Sequence, residues 1–422
     1  MNRIYLEFAP VIVLVFAAFL ISCSNEKTNP APQPAAESTL PDTGVTIEAE
    51  NKDLTEDDHP EAPDSLPGEI DHNIEIIPIN TSRNSVAQFL AGRKQPVRNE
   101  ITKYQDSSVW RSYSKQLGAK WSGLEKSRIS AYNSFRDKEL VEINSRTKTL
   151  FYPFGGPDFF HAAVFFPDAD IYVLIGLEKV GSLPGVQNME GDSAMIKYFN
   201  NLKGSINTVL SISFFITKDM KIDFREMELD GILPVLLIFS VRTGHEVADI
   251  KGARVDEAGN IVTYATEQFH KTTGVEITLK DNSGRFKKLY YFSKNLADGS
   301  YKPNSGFHNF VKKLGTFTTY LKAASYLMHN DAEFSNIRNS VLTQSRYIIQ
   351  DDSGIPFRFF SPKTWEVSIY GYYDKPINLF ANKLQPDLAE AYKDSTKVQS
   401  LGFGIGYRHH KGKSNMMIAK RK

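Results

Sequence analysis

The spacing of large apolar residues changes along the chain, and each spacing predicts a different kind of element. Between residues 107 and 145 the apolar positions recur every three or four residues, which is typical of helices that bury one face. These positions are Trp110, Tyr113, Leu117, Trp121 and Leu124, followed by a second run at Ile129, Tyr132 and Phe135. Basic residues fill the other faces. We therefore predict an N-terminal helical portion, residues 73–148, with a cationic outer surface.

From residue 149 onward, predicted strands and helices are mixed. Residues 149–157 predict a strand that ends in a tight turn. Short apolar or alternating runs predict further strands at 171–177, 235–241, 275–279, 288–292, 346–350, 355–359 and 365–370, with an edge strand at 74–79 and a turn between strands at Gly259-Asn260. Helical spacing or capping predicts helices at 159–166, from Asp192 to about Ser213, from Phe317 to Met328 and from about Asp331. The prediction is an α+β fold, a mixed sheet with several packed helices, in a body spanning residues 149–422.

An apolar stretch lies near the start of the chain. It runs from Phe8 to Ile21, 14 residues, which is shorter than the ~20 that a helix needs to cross a bilayer. Leu20-Ile21-Ser22-Cys23 follows, and Cys23 is the only cysteine. This segment resembles the leader of bacterial lipoprotein precursors. The resemblance implies a signal peptide over residues 1–22, cleavage before Cys23 and a lipid on that cysteine; the alternative is an uncleaved anchor with an incidental cysteine.

The residue after the cysteine bears on the membrane to which the chain is sorted. In enteric bacteria, an aspartate directly after the cysteine resembles an inner-membrane retention signal. Here that position is Ser24, which does not match it. The expectation is an envelope protein attached to the outer membrane. Two or more acyl chains anchor stably, because each buried methylene contributes about 0.8 kcal/mol.

Residues 24–72 are rich in proline and acidic residues and contain no aromatic residue. Thirteen acidic and two basic residues give this segment a charge of −11, whereas residues 73–422 carry +12. With so little apolar surface, residues 23–72 are expected to form a disordered, lipid-tethered spacer. The sequence thus joins an acidic arm to a basic body.

Several catalytic machineries have no counterpart in the sequence. No Gly-x-Ser-x-Gly elbow or P-loop is present, and the one thiol is the predicted lipidation site. The segment from His245 to Asp249 approaches a zinc-binding His-Glu-x-x-His pattern, but Asp replaces the second histidine, so a solvated loop is the better interpretation. We predict neither a metal site nor a cofactor.

Two weak candidate sites remain. Asp158 and His161 lie three residues apart after a glycine turn, on one face of a short predicted helix, where they suit acid–base chemistry or a capping role. Asp351 and Asp352, with Arg358 nearby, suit cation or ligand binding, or an ordinary turn between strands.

The basic body and the missing motifs favour a non-catalytic module that binds a ligand or partner. Anionic envelope polymers, lipid headgroups or another envelope protein suit the +12 charge. Nucleic acid is not expected as a partner, because the chain carries an export signal and no nucleic-acid-binding motif. The alternative is a hydrolase of envelope polymers that uses Asp158 and His161.

Overall fold

The computed structural model describes residues 74–96, 98–212 and 231–422. The predicted signal peptide, Cys23 and the acidic segment lie outside the described residues, so the expectations about them stay predictions.

An eleven-stranded mixed sheet runs through the described residues. Its strands are β1 Thr149–Tyr152, β2 Ile171–Gly176, β3 Glu246–Val255, β4 Ile261–Tyr264, β5 Gly274–Lys280, β6 Phe286–Ser293, β7 Phe317–Leu321, β8 Ser345–Gln350, β9 Trp365–Gly371, β10 Val398–Gln399 and β11 Asn415–Arg421. Their order across the sheet is β10-β9-β11-β8-β7-β1-β2-β6-β5-β3-β4.

The five central strands, β8-β7-β1-β2-β6, are parallel. The chain enters the sheet at β1 and β2, forms β3, β4 and β5 toward one edge and β6 beside β2, and then returns to the other side of β1 for β7 and β8. The direction in which strands are added therefore reverses between β1 and β7. We call the carboxyl ends of these two strands the switch point. Parallel sheets commonly leave a crevice there, because the two connections depart toward opposite faces.

Helices cover both faces of the sheet. The described α-helices are α1 Thr81–Leu90, α2 Ser108–Leu124, α3 Ser130–Glu139, α4 Val141–Arg146, α5 Phe159–Phe165, α6 Asp192–Ile212, α7 Leu233–Arg242, α8 Gly306–Lys313, α9 Ser335–Gln344 and α10 Pro386–Ala391. One core layer contains Leu150, Tyr152 and side chains of α1, α2, α3, α5, α6 and α7. The layer on the opposite face contains Phe151 and side chains of α8 and α9. The alternation along β1 reflects the period of two in a strand.

The predicted amphipathic helices of the N-terminal portion are present. Helix α2 begins after Ser107, whose side chain accepts a hydrogen bond from the Trp110 amide at 3.1 Å. The apolar face from Trp110 to Leu124 is buried, as its spacing predicts. A π-helical turn, Glu125–Ile129, joins α2 to α3, which buries Tyr132 and Phe135.

The strand predicted at 235–241 is wrong, because these residues form helix α7. Every residue from Leu233 to Val241 is buried, so no polar position reveals the period of the element. Pro234, in the first helical turn, was the local signal for a helix start.

The helix predicted from Phe317 to Met328 is also wrong, because its first part is strand β7. All five residues of β7 are buried between two parallel neighbours, so the spacing of apolar residues does not mark one face. The next predicted helix is present as α9.

Two shorter strand predictions fail. Residues 355–359 contain a 3₁₀ turn, Phe357–Phe359, preceded by Pro356, which has no amide hydrogen to give to a strand. Residues 74–79 form no strand; the next residue, Asn80, caps α1 through its side chain.

The α+β class is confirmed by the coexistence of these helices with the mixed sheet. Among the described helices, none combines the length and apolar character needed to span a bilayer.

Candidate functional site

The connection from β1 to α5 places Asp158 at the switch point. Gly156 adopts a left-handed φ of 56° and donates its amide to the Ile175 carbonyl at 3.0 Å, which turns the chain sharply over the end of β2. Asp158 then caps α5, with Oδ1 3.3 Å from the His161 amide nitrogen. The short capped helix after a glycine turn is confirmed.

The structure brings Asp158 and His161 together. The His161 Nδ1 atom lies 2.9 Å from both carboxylate oxygens of Asp158, and each residue is only 1% exposed. This geometry suits a neutral imidazole that donates its Nδ1 proton to the carboxylate. Three aromatic rings, those of Tyr132, Phe160 and Phe165, lie within 6.3 Å of the imidazole centroid.

Lys322 completes the cluster from the other side of the switch point. It follows β7, and its Nζ atom lies 2.8 Å from Asp158 Oδ2 and 3.3 Å from His161 Nδ1. The Tyr152 hydroxyl donates to the same Asp158 oxygen at 2.9 Å. Lys322 is 4% exposed. Neither Lys322 nor Tyr152 was predicted as a site residue. No local pattern links Lys322 to Asp158, which is remote in sequence, and Tyr152 was interpreted only as part of a strand.

Burial and charge set the ionisation of the cluster. Burial raises the pKa of Asp158, but the charges and hydrogen bonds of His161 and Lys322 outweigh it and bring that pKa to about 2. Burial and the nearby Lys322 charge lower the pKa of His161 to about 4, against the opposing effect of Asp158. At neutral pH, His161 is therefore uncharged and the Asp158 carboxylate faces the Lys322 cation.

A second tyrosine lies beside the cluster. The Tyr320 ring centroid lies 4.8 Å from that of Tyr152, and its hydroxyl is buried without a hydrogen-bond partner among the described residues. Burial, together with the charges of Asp158 and Asp351, raises the pKa of Tyr320 well above its usual value. A buried hydroxyl without a partner is costly in a folded protein, so the Tyr320 hydroxyl would favour a polar group brought beside it.

The adjacent carboxyls Asp351 and Asp352 follow β8 and accept hydrogen bonds from neighbouring segments of the chain. Asp351 accepts from the Ala323 amide at 2.9 Å and the Ser353 amide at 3.0 Å. Asp352 accepts from Asn415 Nδ2 at 2.8 Å and from the Tyr326 hydroxyl. Burial raises the pKa of both carboxyls, and the neighbouring Asp352 raises that of Asp351 further. The expected turn is present, and it also fixes the segment after β7.

That segment has an unusual backbone. Ala323, Ser325 and Tyr326 have left-handed φ values of 51°, 54° and 52°, and none of them is glycine. The Ser353 hydroxyl accepts from the intervening Ala324 amide at 2.7 Å. Each left-handed non-glycine residue costs about 1–3 kcal/mol and persists only where the surroundings enforce it. Three of them therefore concentrate strain beside the switch point.

Arg358 does not join the two aspartates. Its side chain is 52% exposed, and its NH2 nitrogen lies 3.4 Å from Asp331. Asp351 and Asp352 instead line a small cavity with Gln385 and Asn415, which has room for about one water molecule. The predicted grouping of Arg358 with the two carboxyls is not observed.

Residues 401–410, which we call the roof segment, cross the carboxyl ends of β7 and β8. The Tyr407 hydroxyl donates to the Ala323 carbonyl at 3.0 Å, and Gly406 passes so close to Asp351 that a Cβ atom there would lie 2.1 Å from Oδ2. Nearer to His161, the Phe403 ring lies 4.8 Å from that of Tyr132. The roof segment thus closes the polar cluster from solvent.

The segment from His245 to Asp249, which resembles a zinc motif, was expected to be a solvated loop. That expectation is wrong. His245 is 7% exposed, with Nδ1 3.1 Å from the Thr243 hydroxyl, and Asp249 lies in β3, paired with Arg83 at 2.5 Å. A strand separates these side chains instead of gathering them as a helix does. The described residues contain no group of three or more His, Cys, Asp or Glu side chains arranged to hold a metal ion.

Comparison of the chain with protein-family models, with curated proteins and with solved structures finds no match.

Proposed function

We propose that this chain is a lipid-anchored protein of the bacterial envelope whose body binds a ligand without converting it. The ligand site is the switch point. The observation that carries the proposal is the Asp158–Lys322 ion pair, which is buried beneath the roof segment where parallel sheets bind their ligands.

Stability alone does not account for this arrangement. A buried ion pair contributes little or nothing relative to apolar side chains of similar volume, because desolvation offsets the attraction. The strained residues after β7 add a further cost. Such costs are characteristic of functional sites, and here they coincide with the point at which topology predicts a ligand.

The saturation of the cluster supports binding over catalysis. A general base must reach the proton that it removes, but His161 is only 1% exposed and packs against the rings of Tyr132, Phe160 and Phe165. Asp158 Oδ2 is engaged by Tyr152, His161 and Lys322, and Oδ1 is engaged by His161. These groups orient one another and occupy the carboxylate.

The chemistry of the cluster indicates the class of ligand. Lys322 suits a carboxylate, while the unsatisfied Tyr320 hydroxyl suits a hydroxyl or amide group. Aromatic rings surround these polar groups, as in many small-molecule sites. An acidic saccharide fragment of the envelope combines a carboxylate with hydroxyl and amide groups, so it is the ligand we propose.

The test uses soluble muropeptides as the probe. They are expected to raise the melting temperature of the protein, and the shift is expected to vanish in Lys322→Met. Lys302→Met, at an exposed lysine elsewhere, is the control and is expected to keep the shift. An equal shift in all three proteins, or none in the wild type, would exclude the switch point as the site of this ligand.

A second candidate function is hydrolysis of the same polymers. The specific observation in its favour is the 2.9 Å contact from Asp158 to His161 Nδ1, the geometry by which a carboxylate orients a catalytic imidazole. Chromatography of muropeptides after long incubation separates the two functions. Unchanged muropeptides are expected, whereas cleavage that disappears in His161→Asn would establish the hydrolase.

A further inference from the structure

Helices α2 and α6 are both predominantly basic. Residues 108–124 contain no aspartate or glutamate, and in α6 the acidic residue is Asp192 at its start. The two helices contain five cations, which are Arg111, Lys115, Lys120, Lys197 and Lys203. Lys126, two residues after the end of α2, adds a sixth, and the exposed Glu125 lies between them. We call the surface formed by these six side chains the basic face.

The two helices lie side by side and run in the same direction. The Ser107 hydroxyl lies 3.7 Å from Met195 Sδ, and Lys203 Nζ lies 2.9 Å from Gln116 Oε1 further along both helices. Because α2 buries the face containing Trp110, Leu117 and Leu124, its opposite side looks outward. The outer sides of the helices therefore form one continuous surface.

The cations of the basic face are incompletely neutralised. Arg111, Lys115 and Lys126 are exposed and form no ion pair within the described part of the chain. Other surface cations do have such partners: Lys393 lies 2.5 Å from Glu390, and Lys397 lies 3.0 Å from Asp394. The unpaired charges of Arg111, Lys115 and Lys126 remain available to an external anion.

An apolar residue lies among these charges. Ile196 on α6 is 48% exposed and directly precedes Lys197. Cations together with an exposed aliphatic side chain suit a bilayer surface, where the charges meet anionic headgroups and the apolar group enters the boundary with the acyl chains. A hydrated polymer offers no such apolar layer.

We infer that the basic face docks the body onto an anionic lipid bilayer. This role goes beyond the ligand site at the switch point and does not depend on it. A lipid on Cys23 would hold the body near such a surface, but docking itself requires only the basic face and anionic headgroups. Acylation and docking are therefore tested separately.

The experiment is co-sedimentation with vesicles of phosphatidylglycerol and phosphatidylcholine in equal parts. The protein begins at Ser24, so that neither the apolar leader nor an acyl chain contributes to binding. The test variant carries Arg111→Glu, Lys115→Glu and Lys126→Glu. The matched control carries Lys302→Glu, Lys363→Glu and Lys375→Glu, which change the net charge equally at exposed positions elsewhere. Circular dichroism verifies that both variants are folded.

The wild type and the control are expected to bind these vesicles, and the test variant at least about tenfold more weakly, because each cation near an anionic surface contributes about 1 kcal/mol. Raising the salt concentration from about 0.1 M to 1 M shortens the Debye length from about 10 Å to 3 Å and is expected to release the wild type. Equal loss in both variants, or no binding by the wild type, overturns the inference. Binding to isolated peptidoglycan but not to vesicles also overturns it, since the partner would then be a polymer.

Discussion

Asp158 and Lys322 form an ion pair of 2.8 Å although 163 residues separate them in the sequence. One residue follows β1 and the other follows β7, the two strands between which the order of the sheet reverses. The pair therefore spans the crevice that this topology would otherwise leave open, and the roof segment covers it. Because both side chains are buried, losing one of the two charges should strongly affect the stability of the protein.

Replacing Asp158 with Asn should destabilise the protein by about 3–5 kcal/mol, because it leaves the Lys322 cation buried without its counterion. The double variant Asp158→Asn/Lys322→Met should cost less than the sum of the two single changes, since the unpaired charge is then absent. Urea unfolding of all four proteins measures this coupling. Additive effects would mean that the two charges do not interact in the folded state.

His161 should make stability fall as the pH is lowered from 6.5 toward 4. Its pKa is about 4 in the folded protein and about 6.5 when unfolded, so over this range the unfolded state binds a proton that the folded state does not. Relative to His161→Gln, the wild type should lose up to about 1.4 kcal/mol per pH unit. Unfolding measured at several pH values tests this slope, and parallel curves would contradict the lowered pKa.

Glycine substitutions at two neighbouring alanines after β7 should have opposite effects on the stability of the protein. Ala323→Gly should stabilise the protein by up to about 1 kcal/mol, because glycine adopts a φ of 51° without a Cβ penalty. Ala324→Gly, at a buried position without left-handed φ, should destabilise it by about 1 kcal/mol. Thermal unfolding compares the two, and destabilisation by both would argue against strain at Ala323.

Within the roof segment, stability should be more sensitive to substitution of Gly406 than of Gly402. Gly406→Ala should cost about 1–3 kcal/mol, because its Cβ atom would meet the Asp351 carboxylate and its φ is 63°. Gly402→Ala meets nothing within 4 Å and should change stability by less than about 0.5 kcal/mol. Hydrogen exchange at the Ala323 amide, which donates to Asp351, should accelerate only in the Gly406 variant. Indistinguishable exchange rates in the two variants would contradict tight packing of Gly406 against Asp351.

Cys23→Ala should abolish incorporation of labelled fatty acid and leave an uncleaved precursor, because the thiol is the predicted site of acylation. The neighbouring Ser24→Ala should keep the label. Metabolic labelling followed by electrophoresis distinguishes them. Label retained in the Cys23 variant would rule out the lipoprotein interpretation.

The sequence by itself determined the elements that carry a local signal, either one-sided burial or a capping residue. Helix α2 follows from the spacing of its apolar face, and helix α5 follows from the capping residue Asp158 after a glycine turn. The Asp158–His161 contact was also accessible, because residues three apart on a short helix lie on one face. In each case the information lies within a few residues of the chain.

Only the tertiary structure decided α7 and β7. From Leu233 to Val241, and throughout β7, every residue is buried, so no exposed position separates a helix from a strand. It also decided the site. Lys322 reaches Asp158, and Gly406 reaches Asp351, only because the order of the parallel strands brings the ends of β1, β7 and β8 side by side. That order depends on which strands pair across long loops, and local sequence does not record such pairing.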